Sequence, residues 1–194
     1  MTVTRRLGFA ALGLGLTAAF AGSPYRHRAG QIDIGRAIDA IDDGSDHATA
    51  LELAAWIRDR KPGLRVVDIR PAADFAAYAI PTAENIPLAA LVRTAFQPHE
   101  TVVLYSEQGA HAGQAWVLLR ALGVFNAWFI AGGLADWRDD VLAPVLSPDA
   151  SAEEKQAFAE RSELSRYFGG QPTIGTRPCE VPASPTTGSR RRGC

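Results

Sequence analysis

The sequence predicts an α/β fold, a single domain with a parallel sheet of four or five strands covered by helices on both faces. Three observations carry that prediction. Between Ala48 and Leu142, strand-like and helix-like segments alternate. The strand segments are short, continuous apolar runs such as "TVVLY", the mark of strands buried on both faces. The intervening segments carry helix punctuation, with a capping box at the start and Pro or Gly at the end.

Taken in order, "IGRAIDAIDDG" reads as a helical lead-in. Thr49 opens the first strong helix, its hydroxyl facing Glu52 three residues on. "ALELAAWIRDRKPG" places Leu51, Ala54, Ala55 and Ile57 near one face and stops at Pro62-Gly63. "RVVDI" is a strand, "AADFAAYAI" a helix ended by Pro81, and "AENIP" a brief strand. "LAALVRTAF" is helical and "TVVLY" is the next strand. In the helix after it, Ala115, Leu118, Leu119 and Leu122 form the expected buried stripe, closed by Gly123. "NAWFI" is the last strand, and Gly132-Gly133 leads into "LADWRDDVL". Beyond the domain, "SAEEKQAFAERSELSRYFGG" reads as a helix with Ser151 and Glu154 as its capping box, its Phe158, Leu164 and Phe168 turned to packing.

The ends differ from this middle. Arg5 and Arg6 precede an apolar run from Leu7 to Gly22, and Ala19-Phe20-Ala21 offers a small-x-small cleavage site. The run is shorter than the about 20 residues of a spanning helix, so it reads as a secretory signal, with an uncleaved anchor as the alternative. "TRRLGF" partly matches a twin-arginine signal. The expected location is therefore periplasmic or secreted, with no membrane span after signal removal. The basic residues are almost all Arg, which suggests a GC-rich bacterial coding sequence. The tail from Gly169 on is rich in Gly, Pro, Ser and Thr and carries both cysteines, Cys179 and Cys194. They are candidates for a disulfide in an oxidising compartment. The chain thus divides into a signal peptide over 1–21, a lead-in over 22–47, the domain over 48–142, a helical extension over 143–170 and a flexible tail over 171–194.

With 194 residues, 47% hydrophobic and 21% charged, the chain has the composition of an ordinary globular protein. Its net charge of −1 gives no reason to expect a nucleic-acid partner. His27, His47, His99 and His111 lack ligand spacing, so no metal is expected, and no motif calls for a cofactor.

The chemistry concentrates where "TVVLY" passes into the following helix. Ligands of open α/β sheets bind beyond the carboxyl ends of the strands. Ser106, Glu107, Gln108, Gly109, Ala110 and His111 form a loop at such an end. Curled before a helix N-terminus, its amides make a cradle for an anion, and Gly109 permits the curl. Ser106 with His111 as a hydrolase pair is disfavoured, because Tyr105 and Glu107 stand where a nucleophile elbow needs glycines. Asp68 and Arg70, at the end of "RVVDIR", are candidates for the pocket rim or for a structural polar pair near it.

These motifs resemble the rhodanese-like domain family. Asp68 and Arg70 match its Asp-x-Arg strand, "AIPTAENIP" its His-Ile-Pro-Gly-Ala segment with Asn-Ile-Pro, and Gly132, Gly133 and Trp137 its Gly-Gly-x-x-x-Trp. The resemblance implies a five-stranded parallel sheet. It also implies, for active members, a Cys-x-x-Gly-x-Arg-Ser loop whose thiolate carries sulfur as a persulfide. Here Ser106 stands at the Cys, His111 at the Arg and Ala112 at the Ser, while Gly109 is kept. Ala79 and Thr82 replace the His and Gly of the earlier segment. A hydroxyl holds no stable persulfide and ionises far less readily than a thiol. His111 gives up a permanent cation with a fork of donors, and Glu107 adds a negative charge where an anionic donor approaches.

No catalytic residue is therefore expected, and the loop reads as a residual anion cradle in a binding or structural module. Its partner is a small anion or an unidentified protein. The alternative is a working sulfurtransferase using a tail cysteine.

Overall fold

The computed structural model describes residues 34–175. The expected signal peptide, His27, Cys179 and Cys194 lie outside the described residues. The chain divides into two compact units that meet in sequence between Asp139 and Asp140.

The first unit runs α1 (Ile34–Asp42), β1 (His47–Ala48), α2 (Ala50–Arg58), β2 (Leu64–Asp68), α3 (Ala72–Ala77) and β3 (Glu84–Asn85). It continues with α4 (Leu88–Leu91), β4 (Thr101–Tyr105), α5 (Ala110–Ala121), β5 (Ala127–Ile130) and α6 (Gly133–Asp136). The five strands form one parallel sheet in the order β1-β5-β4-β2-β3, flanked by helices. β4 lies at the centre with all five residues buried. Val102 and Leu104 join Val67, Ile69, Leu91, Trp116 and Leu119 in a core on one face. Val103 and Tyr105 alternate to the other face and are equally buried. Covering on both faces is what a continuous apolar strand demands.

Local punctuation works as the residues suggest. The Thr49 hydroxyl accepts from the Glu52 amide at 3.1 Å, and the Glu52 carboxylate accepts from the Thr49 amide at 2.8 Å. That reciprocal pair satisfies two amides the first turn of α2 leaves open.

Two buried stripes sit rotated from their expected positions. In α2 the buried set is Ala50, Leu53, Ala54 and Ile57, where Leu51 and Ala55 were expected to share the face. In α5 it is Ala112, Ala115, Trp116 and Leu119, whereas Leu118 is 40% exposed. Both observed sets follow the i, i+3, i+4, i+7 rule, and in α5 the large Trp116 ring takes the inward place that Leu118 gives up. The Trp116 indole N–H donates to the Ala127 carbonyl on β5 at 2.8 Å, which fixes the helix against the sheet.

Residues Trp137–Leu142 are π-helical. The second unit contains β6 (Val145–Leu146), α7 (Ala152–Tyr167) and β7 (Thr173–Ile174). Ser151 and Glu154 form the capping box of α7, and Leu164 is buried. β7 pairs in parallel with β6, so the span from 171, read from composition as a tail, begins in a paired strand. No helix among the described residues is long and apolar enough to cross a membrane.

Candidate functional site

Register places the site. Asp68 at the end of β2 lies opposite Tyr105 of β4 on one side and Asn85 of β3 on the other. The carboxyl ends of three strands are thus level, and Ser106 is the first residue beyond that edge. β4 ends at Tyr105 and α5 starts at Ala110, so the connecting loop is Ser106–Gly109, and Ala110 and His111, expected in the loop, form the first turn of the helix.

Glycines set the path of this loop. Gly109 has φ 54°, and a Cβ there would fall 1.5 Å from the Ala131 carbonyl oxygen. Gly133 has φ 65°, and its Cβ would fall 2.4 Å from the Ser106 carbonyl oxygen. Without side chains at both places, the loop lies directly on the exit of β5.

The start of α6 takes up the loop's carbonyls. The Leu134 amide donates to the Ser106 carbonyl at 2.9 Å, and the Ala135 amide donates to that of Glu107 at 3.1 Å. In a trans peptide the N–H points opposite its C=O. The amides of Glu107 and Gln108 therefore point away from α6, and neither finds a carbonyl acceptor among the described residues.

Beside the loop lies a cleft of about 510 Å³ lined by Ile69, Arg70, Pro71, Asp74, Leu88, Ser106, Glu107 and His111. Ser106 is 3% exposed, and its Oγ has no hydrogen-bond partner among the described residues. His111 is exposed in the first turn of α5 and lines the same cleft without bonding to Ser106. A second cavity of about 260 Å³, lined among others by Phe96, Val124 and Phe125, lies at the amino ends of β4 and β5 and holds no nucleophile.

Asp68 and Arg70 form a buried pair. Arg70 Nε donates to Asp68 Oδ1 at 3.0 Å and Nη2 to Oδ2 at 2.7 Å, while the Arg70 amide adds a third bond to Oδ1 at 2.9 Å. Nη2 also reaches the Tyr78 carbonyl at 2.6 Å. The Asp68 carboxylate holds the Arg70 guanidinium well above its ordinary pKa. Asn85 Nδ2 donates to the carbonyls of Asp68 and Arg70, pinning the strand end. Such a buried pair specifies geometry more than it adds stability.

The free end of Arg70 faces the loop. Nη1 donates to Glu107 Oε2 at 2.9 Å, and Arg138 Nη1 donates to the other oxygen, Oε1. The negative charge expected to stand open at the cleft is thus bound between two guanidinium groups. Arg138 and Tyr78 are members of the site that sequence reasoning missed. Arg138 directly follows Trp137, whose indole N–H donates to the Tyr78 hydroxyl at 3.0 Å, so the Gly-Gly-x-x-x-Trp motif was the available pointer to both. Burial pushes the Tyr105 phenol well above its usual range, against the pull of the Ile80 amide that donates to it at 3.1 Å, and the Asp68 carboxylate adds to the rise.

A level strand edge, a glycine-clamped loop before a helix and a buried Asp–Arg pair define an α/β domain with a cleft at the carboxyl end of its sheet. Residues 49–140 match the family model described as the rhodanese-like domain, and the chain carries such a domain over that span. Similar solved structures include a Bacillus halodurans protein at 21% identity, covering 55% of this chain and 81% of that one, with a TM-score of 0.43. A human single-domain sulfurtransferase is 25% identical over 47% of this chain and 94% of its own, with a TM-score of 0.42. The rhodanese-like domain of an Anabaena protein is 19% identical over 77% and 93%, with a TM-score of 0.45. No curated protein gives a significant match.

Proposed function

We propose that this protein is an exported rhodanese-like binding module without sulfurtransferase activity, whose loop is retained as an anion cradle. The observation that carries the reading is Ser106. At the position where sulfur-transferring relatives place cysteine, a buried hydroxyl bonds no partner among the described residues. A hydroxyl in that setting neither ionises at neutral pH nor retains a sulfur atom. The two loop amides directed away from α6 preserve the cradle that such chemistry uses for its anion.

A thiosulfate-to-cyanide sulfur-transfer assay on the purified mature protein tests the reading, with no rate above background expected. Turnover abolished by Cys179→Ala or Cys194→Ala instead establishes a sulfurtransferase working through a tail thiol. Export follows from the Ala19-Phe20-Ala21 site. Amino-terminal sequencing of protein from the cell envelope is expected to begin at Gly22, and Met1 at that end identifies an uncleaved anchor.

A further inference from the structure

We propose that the cleft receives a small organic monoanion with an apolar body, and that the Glu107 carboxylate occupies the anion's place until such a ligand displaces it. This rests on the reading of the loop as a binding cradle.

The grip on Glu107 is the grip of an oxyanion site. Arg70 and Arg138 each donate to one of its two oxygens, the arrangement by which arginines hold a carboxylate ligand. Here the loop itself supplies the carboxylate. The outer half of this grip, the pair with Arg138, is loose, because the Glu107 and Arg138 side chains are 50% and 45% exposed. Ion pairs so open to water contribute little and exchange readily. Arg70 behaves differently: it is 7% exposed and anchored by Asp68 and the Tyr78 carbonyl. When Glu107 swings out, Arg70 stays, with Nη1 presented to the cleft.

Two further features point to a ligand. Ser106 Oγ is buried at the cleft without a partner among the described residues, a hydroxyl whose hydrogen bond is left to whatever enters. The Glu107 and Gln108 amides lack acceptors on the same loop. The rest of the cleft fixes the ligand's character. Ile69, Pro71 and Leu88 form apolar walls, and Leu88 is itself 39% exposed. Asp74 on the rim adds a negative charge, which disfavours a doubly charged oxyanion more than a single carboxylate. About 510 Å³ accommodates a ring-sized body.

Amide NMR titrations of the full mature chain with benzoate, acetate and sulfate test this, read at Glu107, Gln108 and His111. Benzoate is expected to bind more tightly than acetate or sulfate. Glu107→Gln is expected to tighten benzoate about fivefold, the scale of a lost exposed ion pair, and Arg138→Ala added to it to reverse that gain. Leu88→Asp, at a half-exposed position, is expected to erase the preference for benzoate over acetate while leaving the spectrum folded. Equal affinities for benzoate and acetate, or no tightening in a folded Glu107→Gln protein, overturn the proposal. Sulfur transfer by the same preparation overturns the functional reading instead and leaves the titrations to decide the receptor on their own.

Discussion

Ser106 differs from a cysteine by one atom, and its surroundings decide how much that atom matters. The loop path is set by Gly109 and Gly133 and by amides of α6, none of which involves the Ser106 side chain. Ser106→Cys therefore places a thiol in a preformed turn before a helix, where amides lower a thiol pKa. It is expected to give measurable but poor sulfur transfer from thiosulfate. The deficit lies with His111, which replaces a permanent fork of donors at the cleft. Adding His111→Arg is expected to raise the rate beyond that of Ser106→Cys alone. Glu107 adds to the deficit, since it already takes up the Arg70 and Arg138 donors that an anionic sulfur donor would use. If the folded double variant's thiol reacts with a disulfide reagent no faster than free cysteine, the loop is no anion cradle.

At the level of elements, the turn between α3 and β3 shows what the sequence departure costs. The Ala83 amide donates to the Ile80 carbonyl at 3.1 Å, closing a turn with Pro81 second and Thr82 third. Thr82 has φ 68°. A type II turn needs positive φ at its third residue, where glycine is at ease and a β-branched side chain is strained. Thr82→Gly is expected to stabilise the protein by about 1 kcal/mol, measured by denaturant unfolding, because relief of the left-handed strain exceeds glycine's added chain entropy. An unchanged or lowered midpoint shows that Thr82 is held there without strain. The central strands and both capping boxes were legible because each is coded by a short local pattern, whereas the loop is two residues shorter than expected, Ala110 and His111 already belonging to α5. β1 was not legible, since two residues are too few to show a period. The inward faces of α2 and α5 were misjudged where several small apolar residues blur the stripe. The partners of Glu107 were hidden for a different reason: Arg70 lies 37 residues before it and Arg138 31 residues after it, so only tertiary structure brings them together.

For the whole molecule, a buried phenol at the sheet edge sets an alkaline limit on stability. Tyr105 is fully buried on the central strand, with the Asp68 carboxylate nearby and the Ile80 amide donating to its oxygen. Its phenol is held protonated in the folded state to higher pH than in the unfolded chain, where it titrates near about 10. Below that pH both states keep the proton, and the contribution to stability is fully present. Above it the unfolded chain releases the proton while the native state retains it, so the native state binds more protons and stability falls as pH rises. The expected loss approaches about 1.4 kcal/mol per pH unit from this group, continuing until the folded phenol itself ionises. Tyr105→Phe separates this effect from other alkaline titrations. It is expected to cost about 1–3 kcal/mol at neutral pH, because the Ile80 amide is left without its acceptor. Above pH of about 10 its unfolding free energy is expected to decline less steeply than that of the parent protein. Urea unfolding of both proteins from neutral pH to strongly alkaline conditions measures the two slopes, and parallel curves remove Tyr105 as the cause.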